Sequence, residues 1–205
     1  MIGLKKPELL YITDEHGARF FGGNQYWYPK GDFAPGGACG ATTASNLIAY
    51  ILRTRQKLKE LQTGTNKAEF IEFMKKVYRF FPPSIIGLHS PFFLKGMAKL
   101  TKEYKLPIAA KALKVPILRK FRPSFAETAG FIRSALYADT PVAYLILSNG
   151  GVANLYNWHW ITIIELDEED KKIRILDNTV ASWVELDSWL KKSRLGGSFI
   201  RLTAE

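Results

Sequence analysis

Cysteine occurs once in these 205 residues, at position 39, and histidine three times, at 16, 89 and 159. A single thiol excludes an internal disulfide framework and any cysteine-rich zinc site, and three scattered imidazoles do not form a dedicated metal cluster. The ligand inventory therefore calls for no metal and no other cofactor. No uncharged run approaches the roughly 18–20 residues that span a bilayer. Behind Lys5 and Lys6 there is neither the apolar core nor the small-residue cleavage site of a signal peptide. A cytoplasmic location is the expectation. No internal period of about 20–50 residues is present, which excludes a solenoid. Charged residues make up 23% against 47% hydrophobic, too apolar for a disordered chain. A chain this long buries roughly 70% of its unfolded surface, enough for a core without covalent staples. One domain over 1–205 is expected.

Charge of one sign is scarce in the middle. Residues 1–50 carry 4 Lys and Arg against 4 Asp and Glu, and residues 136–205 carry 7 against 10. Residues 51–135 carry 18 against 5, a net of +13 within a whole-chain net of +10. This basic segment could bind nucleic acid or another anionic polymer. No RNP-type or helix-turn-helix pattern accompanies the charge, so a solvated helical face is the plainer reading. Arg53, Arg55, Lys57 and Lys59 also suit the C-terminal half of the apolar helix they follow.

Short strands are expected at 8–13 and 19–21 around a polar turn, followed by the glycine- and proline-rich loop 22–37 with Tyr26, Trp27, Tyr28 and Phe33. Apolar residues then recur at helical spacing from 40 to 61. Helices are expected at 67–80, stopped by Pro82 and Pro83, and at 90–104, opened by Ser90 and Pro91. A strand is expected at 111–118, and the Ser124-Phe125-Ala126-Glu127 capping box opens a helix to Ala138. The texture then becomes β: strands at 141–147, 158–166, 172–177, 182–186 and 198–202, with a short helix capped by Asp187. Helices first and strands later give an α+β class, a helical N-terminal half on a C-terminal antiparallel sheet, with 62–135 as a basic helical insert.

A lone cysteine is by default a small buried hydrophobe. Cys39, however, follows Gly36-Gly37-Ala38 and opens a strongly helical segment. The unpaired N–H groups and positive dipole end of a helix stabilise a thiolate there. Small neighbours at Ala38, Gly40 and Ala41 would let a substrate backbone reach the sulfur. His159 opens a strand between Trp158 and Trp160, and two indole walls would fix the ring and limit solvent, as a general base requires. His16 and His89 lack such a frame and read as structural. Side chains alternate on strands, so His159, Ile161 and Ile163 share a face, as do Ile173, Ile175 and Asp177. Matching the apolar sets puts Asp177 beside His159, with Lys172, Arg174 and Asn178 facing away. A slip of one residue would put Asn178 there instead. An oxyanion would find one donor in the Cys39 N–H and another in a side-chain amide of the approach loop, Gln25 or Asn24.

Gln25 on an approach loop, Cys39-Gly40-Ala41-Thr42 opening a helix, His159 entering a strand and Asp177 closing the next together resemble the papain-like cysteine peptidases. The resemblance is closest to the branch of the bacteriocin leader-processing, double-glycine peptidases. It covers about the first 60 residues and 140–190. It implies a papain-like fold, Cys39 as nucleophile, His159 as base, Asp177 as orienting residue, Gln25 as oxyanion donor, and a peptide or amide substrate. The cathepsin-type cysteine pattern is absent, and where the Asp of this branch is commonly followed by proline this chain has Asn178, which leaves Asp177 and Asn178 both open as the third member. The same triad would also serve an acyltransferase with an amine acceptor. A non-catalytic papain-like protein binding an anionic partner through residues 51–135 is the reading from outside enzymology.

Overall fold

The computed structural model describes residues 1–29, 37–55, 61–82 and 88–204. Phe33, Gly36, Lys57, Lys59 and Pro83 of the sequence reading lie outside the described residues. The chain opens with β1 (Ile2–Gly3), a 3-10 turn at Pro7–Leu10, β2 (Tyr11–Thr13) and β3 (Arg19–Phe21). A 3-10 turn at Gln25–Trp27 precedes α1 (Cys39–Thr54), α2 (Lys67–Tyr78) and α3 (Ser90–Glu103). Then come β4 (Ile108–Val115), α4 (Phe125–Tyr137), β5 (Val142–Ile146), β6 (His159–Asp167), β7 (Lys172–Asp177) and β8 (Val180–Glu185). A short α5 (Leu186–Lys192) leads into β9 (Gly197–Ala204). The class is α+β.

One antiparallel sheet runs in the order β4-β9-β5-β6-β7-β8, with β1 paired to the far end of β6. Alternation on its strands feeds two cores. Leu145, Trp160 and Ile200 pack against α1, α2 and α3 through Leu47, Ile48, Phe70 and Phe93. Tyr144, Ile163 and Phe199 pack on the opposite side with Ile132 and Leu136 of α4 and Trp189 of α5. There Tyr144 stacks on Phe199 at 4.6 Å and meets Trp189 edge-on at 4.9 Å. Helix α1 is buried on all sides from Cys39 to Leu52, which suits a helix between sheet and outer helices. No described helix is long and apolar enough to cross a membrane.

The segment 62–135 is woven into this frame. Helix α2 packs on α1, and β4 pairs with β9 along its whole length, from Ile108 opposite Ala204 to Val115 opposite Gly197. Two half-buried cations of the basic stretch 51–135 spend their donors on the protein itself. Arg53 donates to Thr63 Oγ1 at 3.1 Å and to the carbonyls of Leu9 and Gly64, and burial pulls its guanidinium down to about 10. Arg122 donates to the carbonyls of Pro116, Leu190 and Ser193, closing the end of α5.

Several boundaries differ from expectation for local reasons. Pro7 starts a 3-10 turn where a strand was expected, because its ring fixes φ and removes a ladder donor. Helix α1 stops at Thr54, with Arg53 drawn to the chain returning at Thr63 and Gly64. β4 ends at Val115 because Pro116 has no N–H for the ladder. Asp187 does not cap α5; it lies in the first turn and pairs with Lys191 at 2.6 Å, and Glu185 occupies the cap position. The Ser124–Glu127 capping box forms as read.

β8 starts two residues early, at Val180, because Asp177 pairs directly with Val180 across a two-residue turn. Asn178 and Thr179 there have φ of +45° and +72°. Positive φ at both central residues matches the strand twist, but a β-branched residue is strained in that region. Thr179→Gly is expected to raise stability by about 1 kcal/mol. The urea midpoint measures it, and an unchanged or lower midpoint would show that the turn stores no strain.

Candidate active site

Cys39 is the first residue of α1, and Ala38 before it makes no side-chain cap. Helix geometry leaves the N–H groups of the first turn without a partner inside the helix, where they favour an anion. The helix can stand against the sheet because Gly40 lacks a side chain: a Cβ there would lie 2.4 Å from Leu88 Cδ2 and 3.3 Å from Trp160 Cδ1. Trp160 is held in that position by its indole N–H, which donates to the Leu88 carbonyl at 2.6 Å, and by stacking on Phe93 at 4.5 Å. Gly40 thus serves packing against Leu88 and Trp160.

His159 begins β6, and Asp177 ends β7. Counted back from the hairpin turn, Leu166 stands opposite Ile173, and an unbroken ladder would put Asp177 on the parity of Trp160 and Thr162. A bulge between Ile163 and Glu165 shifts the pairing by one, so that Ile163 meets Ile175 and Thr162 meets Leu176. From there to the strand mouth, Asp177 has the parity of His159. The two are joined, His159 Nε2 to Asp177 Oδ1 at 2.9 Å. The other ring nitrogen, Nδ1, is left for Cys39, with which the imidazole also forms a hydrogen bond. The structure therefore brings Cys39, His159 and Asp177 together.

All three are largely withdrawn from water; the side chains of His159 and Asp177 are 11% and 17% exposed. Burial alone pulls the imidazole toward neutrality. The hydrogen bonds to Asp177 and Cys39 and the negative charge of both outweigh it, and His159 rises from 6.5 to about 9. At neutral pH the ring is therefore held largely in its protonated form.

Asn178 does not face away from this group. Its Nδ2 donates to Asp177 Oδ1 at 2.9 Å, and its Oδ1 accepts from the Gln25 N–H at 3.0 Å. The Gln25 loop has two further anchors. The Gly23 N–H donates to Asn46 Oδ1 at 2.8 Å, and Tyr28 lies buried with its hydroxyl among Thr42, Ser45 and Met74. Asn24 is occupied: Oδ1 accepts from the Tyr26 N–H at 2.9 Å, and Nδ2 reaches the Asn178 carbonyl at 3.5 Å. Gln25 is buried, and its Oε1 has no partner among the described residues.

The two indoles do not wall His159. Trp158 is 56% exposed and meets His89, while Trp160 turns into the core. Trp160 follows His159 on the strand and so points to the opposite face, while Trp158 precedes the strand at φ of +56°. The ring beside the imidazole belongs to Tyr156, edge-on at 6.0 Å. A groove of about 580 Å³, lined by Gln25, Tyr26, Tyr156, His159, Asp177 and Val180 among others, opens beside the site. His16 sits in an exposed turn. No group of acidic, His and Cys side chains among the described residues could hold a metal ion.

No protein-family model matches the chain, and no curated protein matches its sequence. Among solved structures it is similar to a double-glycine-motif protease from an AMS/PCAT transporter in complex with the leader peptide, at 14% identity and TM-score 0.44, over 82% of this chain and 84% of that one. It is similar also to the peptidase domain of Streptococcus ComA, a bifunctional ABC transporter of a quorum-sensing pathway: 10% identity, TM-score 0.45, 87% of this chain and 97% of that one. A third is the N-terminal peptidase C39-like domain of the toxin secretion ATP-binding protein from Vibrio parahaemolyticus, at 11% identity and TM-score 0.38, covering 80% and 97%. These are loose likenesses of overall shape, and the chemistry rests on the side chains above. In this chain a cysteine-led helix is set against an antiparallel sheet that carries histidine and aspartate.

A proton held more tightly by folded than by unfolded chain stabilises the fold below the unfolded value, and the effect is lost as pH rises through the folded one. For His159 that window runs from about 6.5 to about 9. The stability gap between wild type and His159→Gln, read from urea midpoints, is expected to shrink steadily across it. A gap that stays constant from pH 6 to 10 would remove the raised value.

Proposed function

We propose that the chain is a thiol-dependent hydrolase, a cysteine peptidase or amidase. Cys39 is the nucleophile, His159 the proton carrier, Asp177 the group that orients the imidazole and Gln25 an oxyanion donor. The observation that carries this reading is the hydrogen-bonded series from a buried thiol at a helix start, through one imidazole, to a buried carboxylate. The reading takes 1–205 as one papain-like domain, supported by the shared core of α1, α2 and α3 and by the β4–β9 ladder.

With Nε2 engaged by Asp177, the imidazole presents Nδ1 to the sulfur and holds the proton that the thiol gives up, so that the pair reacts as thiolate and imidazolium. The thiolate attacks the carbonyl carbon of the scissile amide, and the carbonyl π pair moves to oxygen. The Cys39 N–H and the Gln25 carboxamide would hold that oxyanion. Gln25 is the better candidate of the two loop amides, because both ends of the Asn24 amide are already engaged. Collapse breaks the C–N bond, and the imidazolium protonates the departing amine. Water, deprotonated by the now neutral imidazole, hydrolyses the thioester and restores the thiol.

Wild type should release amine from a fluorogenic peptide mixture, and Cys39→Ala or His159→Ala should lose almost all of it. Gln25→Ala should lower the rate on the order of 10²–10³-fold. Iodoacetamide tests the thiol without a substrate: Cys39 is expected to alkylate faster than free cysteine at pH 6, and to slow in Asp177→Ala. Undiminished cleavage by Cys39→Ala, or wild-type alkylation no faster than that of free cysteine, would falsify the scheme. Mass analysis of products with an added amine separates hydrolysis from transfer.

A further inference from the structure

We infer that Asn178 is a positioning residue that couples the carboxylate behind the imidazole to the loop carrying Gln25, so that both move as one unit. The inference rests on the proposed thiol chemistry and adds a residue that acts only through Asp177 and Gln25. Both ends of its carboxamide are engaged. Nδ2 donates to the Asp177 Oδ1 that His159 also engages, each at 2.9 Å, and Oδ1 accepts from the Gln25 N–H at 3.0 Å. Turn chemistry alone accounts for an asparagine at positive φ, but such a residue ordinarily bonds its own local backbone. Here one partner lies 153 residues away in sequence.

Asparagine meets three demands together. The position needs a side chain that tolerates φ of +45°, one donor for a carboxylate and one acceptor for an N–H. Aspartate offers only acceptors, and glycine offers neither group. Proline, common at this place in the branch the sequence resembles, has φ fixed negative and no donor. The hydrogen bond to Asp177 Oδ1 also keeps that oxygen from turning away from the imidazole. Facing His159 are the Asp177 carboxylate of β7 and the Cys39 sulfur of α1, with the Tyr156 ring alongside. An added charge at 178 would therefore be felt directly.

Two variants separate the links while keeping a turn-compatible residue. Asn178→Gly removes both. Asn178→Asp keeps an acceptor for Gln25 but sets a second carboxylate against Asp177. Ring-nitrogen NMR can follow His159, one of three histidines. Its titration is expected to move down in Asn178→Gly, where Asp177 is no longer held, and up in Asn178→Asp. Hydrogen exchange at the Gln25 amide should speed about tenfold in Asn178→Gly and stay near wild type in Asn178→Asp, the worth of one hydrogen bond. Alkylation of Cys39 at pH 6 should slow about tenfold in Asn178→Gly. Mere loosening would move both variants the same way in every readout. Ordinary reactivity of the wild-type thiol overturns both this inference and the hydrolase reading. Enhanced wild-type reactivity, with variants that titrate and exchange as wild type, overturns the positioning role alone.

Discussion

An α-helix can set its first residue against the mouth of a β-sheet only where the positions behind it are almost bare. In α1 that condition falls on Gly40, whose missing Cβ leaves room for Leu88 and Trp160. Alanine at this position would meet the end of the Leu88 side chain at 2.4 Å and the Trp160 ring at 3.3 Å, so that either those side chains or the helix start would have to give. Because Cys39 precedes Gly40 directly, a shift of the helix start would carry the sulfur with it. Two turns along, Asn46 fixes the helix from its other partners: its Oδ1 accepts from Gly23 of the approach loop, and its Nδ2 reaches Thr162 Oγ1 of β6 at 3.4 Å. Helix, loop and strand are thus referenced to one another before any catalytic group enters.

Within that frame, electrostatics decides how the groups behave. A buried imidazole is ordinarily driven to neutrality, and His159 goes the other way because a carboxylate and a thiol both bond to it. The balance works only in the arrangement observed. If Asp177 faced the other side of its strand, burial would stand unopposed, and the ring would neither carry a proton at pH 7 nor hold the tautomer that presents Nδ1 to sulfur. The bulge at Ile164 is therefore as consequential as the charged residues, since one extra residue there brings Asp177 to the correct side.

Much of this was legible in the sequence where local rules govern. A cysteine at a helix start can be read from the glycines before it and the apolar spacing after it. The facing of His159 and Asp177 follows from matching Ile163 with Ile175. Matching the two apolar sets gives that facing although a bulge that no periodicity announces separates Ile163–Ile175 from Leu166–Ile173. The two tryptophans misled because flanking in sequence was taken for flanking in space, against strand alternation. Tyr156 lies in a loop, where no period exists to place a side chain. The reach of Asn178 to Gln25 could not be read at all, since it spans the length of the chain and the two-residue turn gives only a reason for asparagine's backbone.

The basic bias of the middle segment takes on a different meaning once the fold is known. Charge counted along a sequence assumes that each cation faces solvent, yet Arg53 and Arg122 spend their guanidinium groups on main-chain carbonyls. Arg53 draws the return at Thr63 and Gly64 and the Leu9 carbonyl onto the end of α1; Arg122 gathers carbonyls from 116, 190 and 193, so that α5 and the β4 exit close on one planar fork. Arginine suits this work because its five donors diverge in a fixed plane and its charge survives partial burial. A lysine at either place would satisfy fewer carbonyls and leave the rest without partners. Part of the positive charge is thereby structural, holding together the elements that carry the cysteine helix and the sheet, and only the remainder is free to meet an anionic partner.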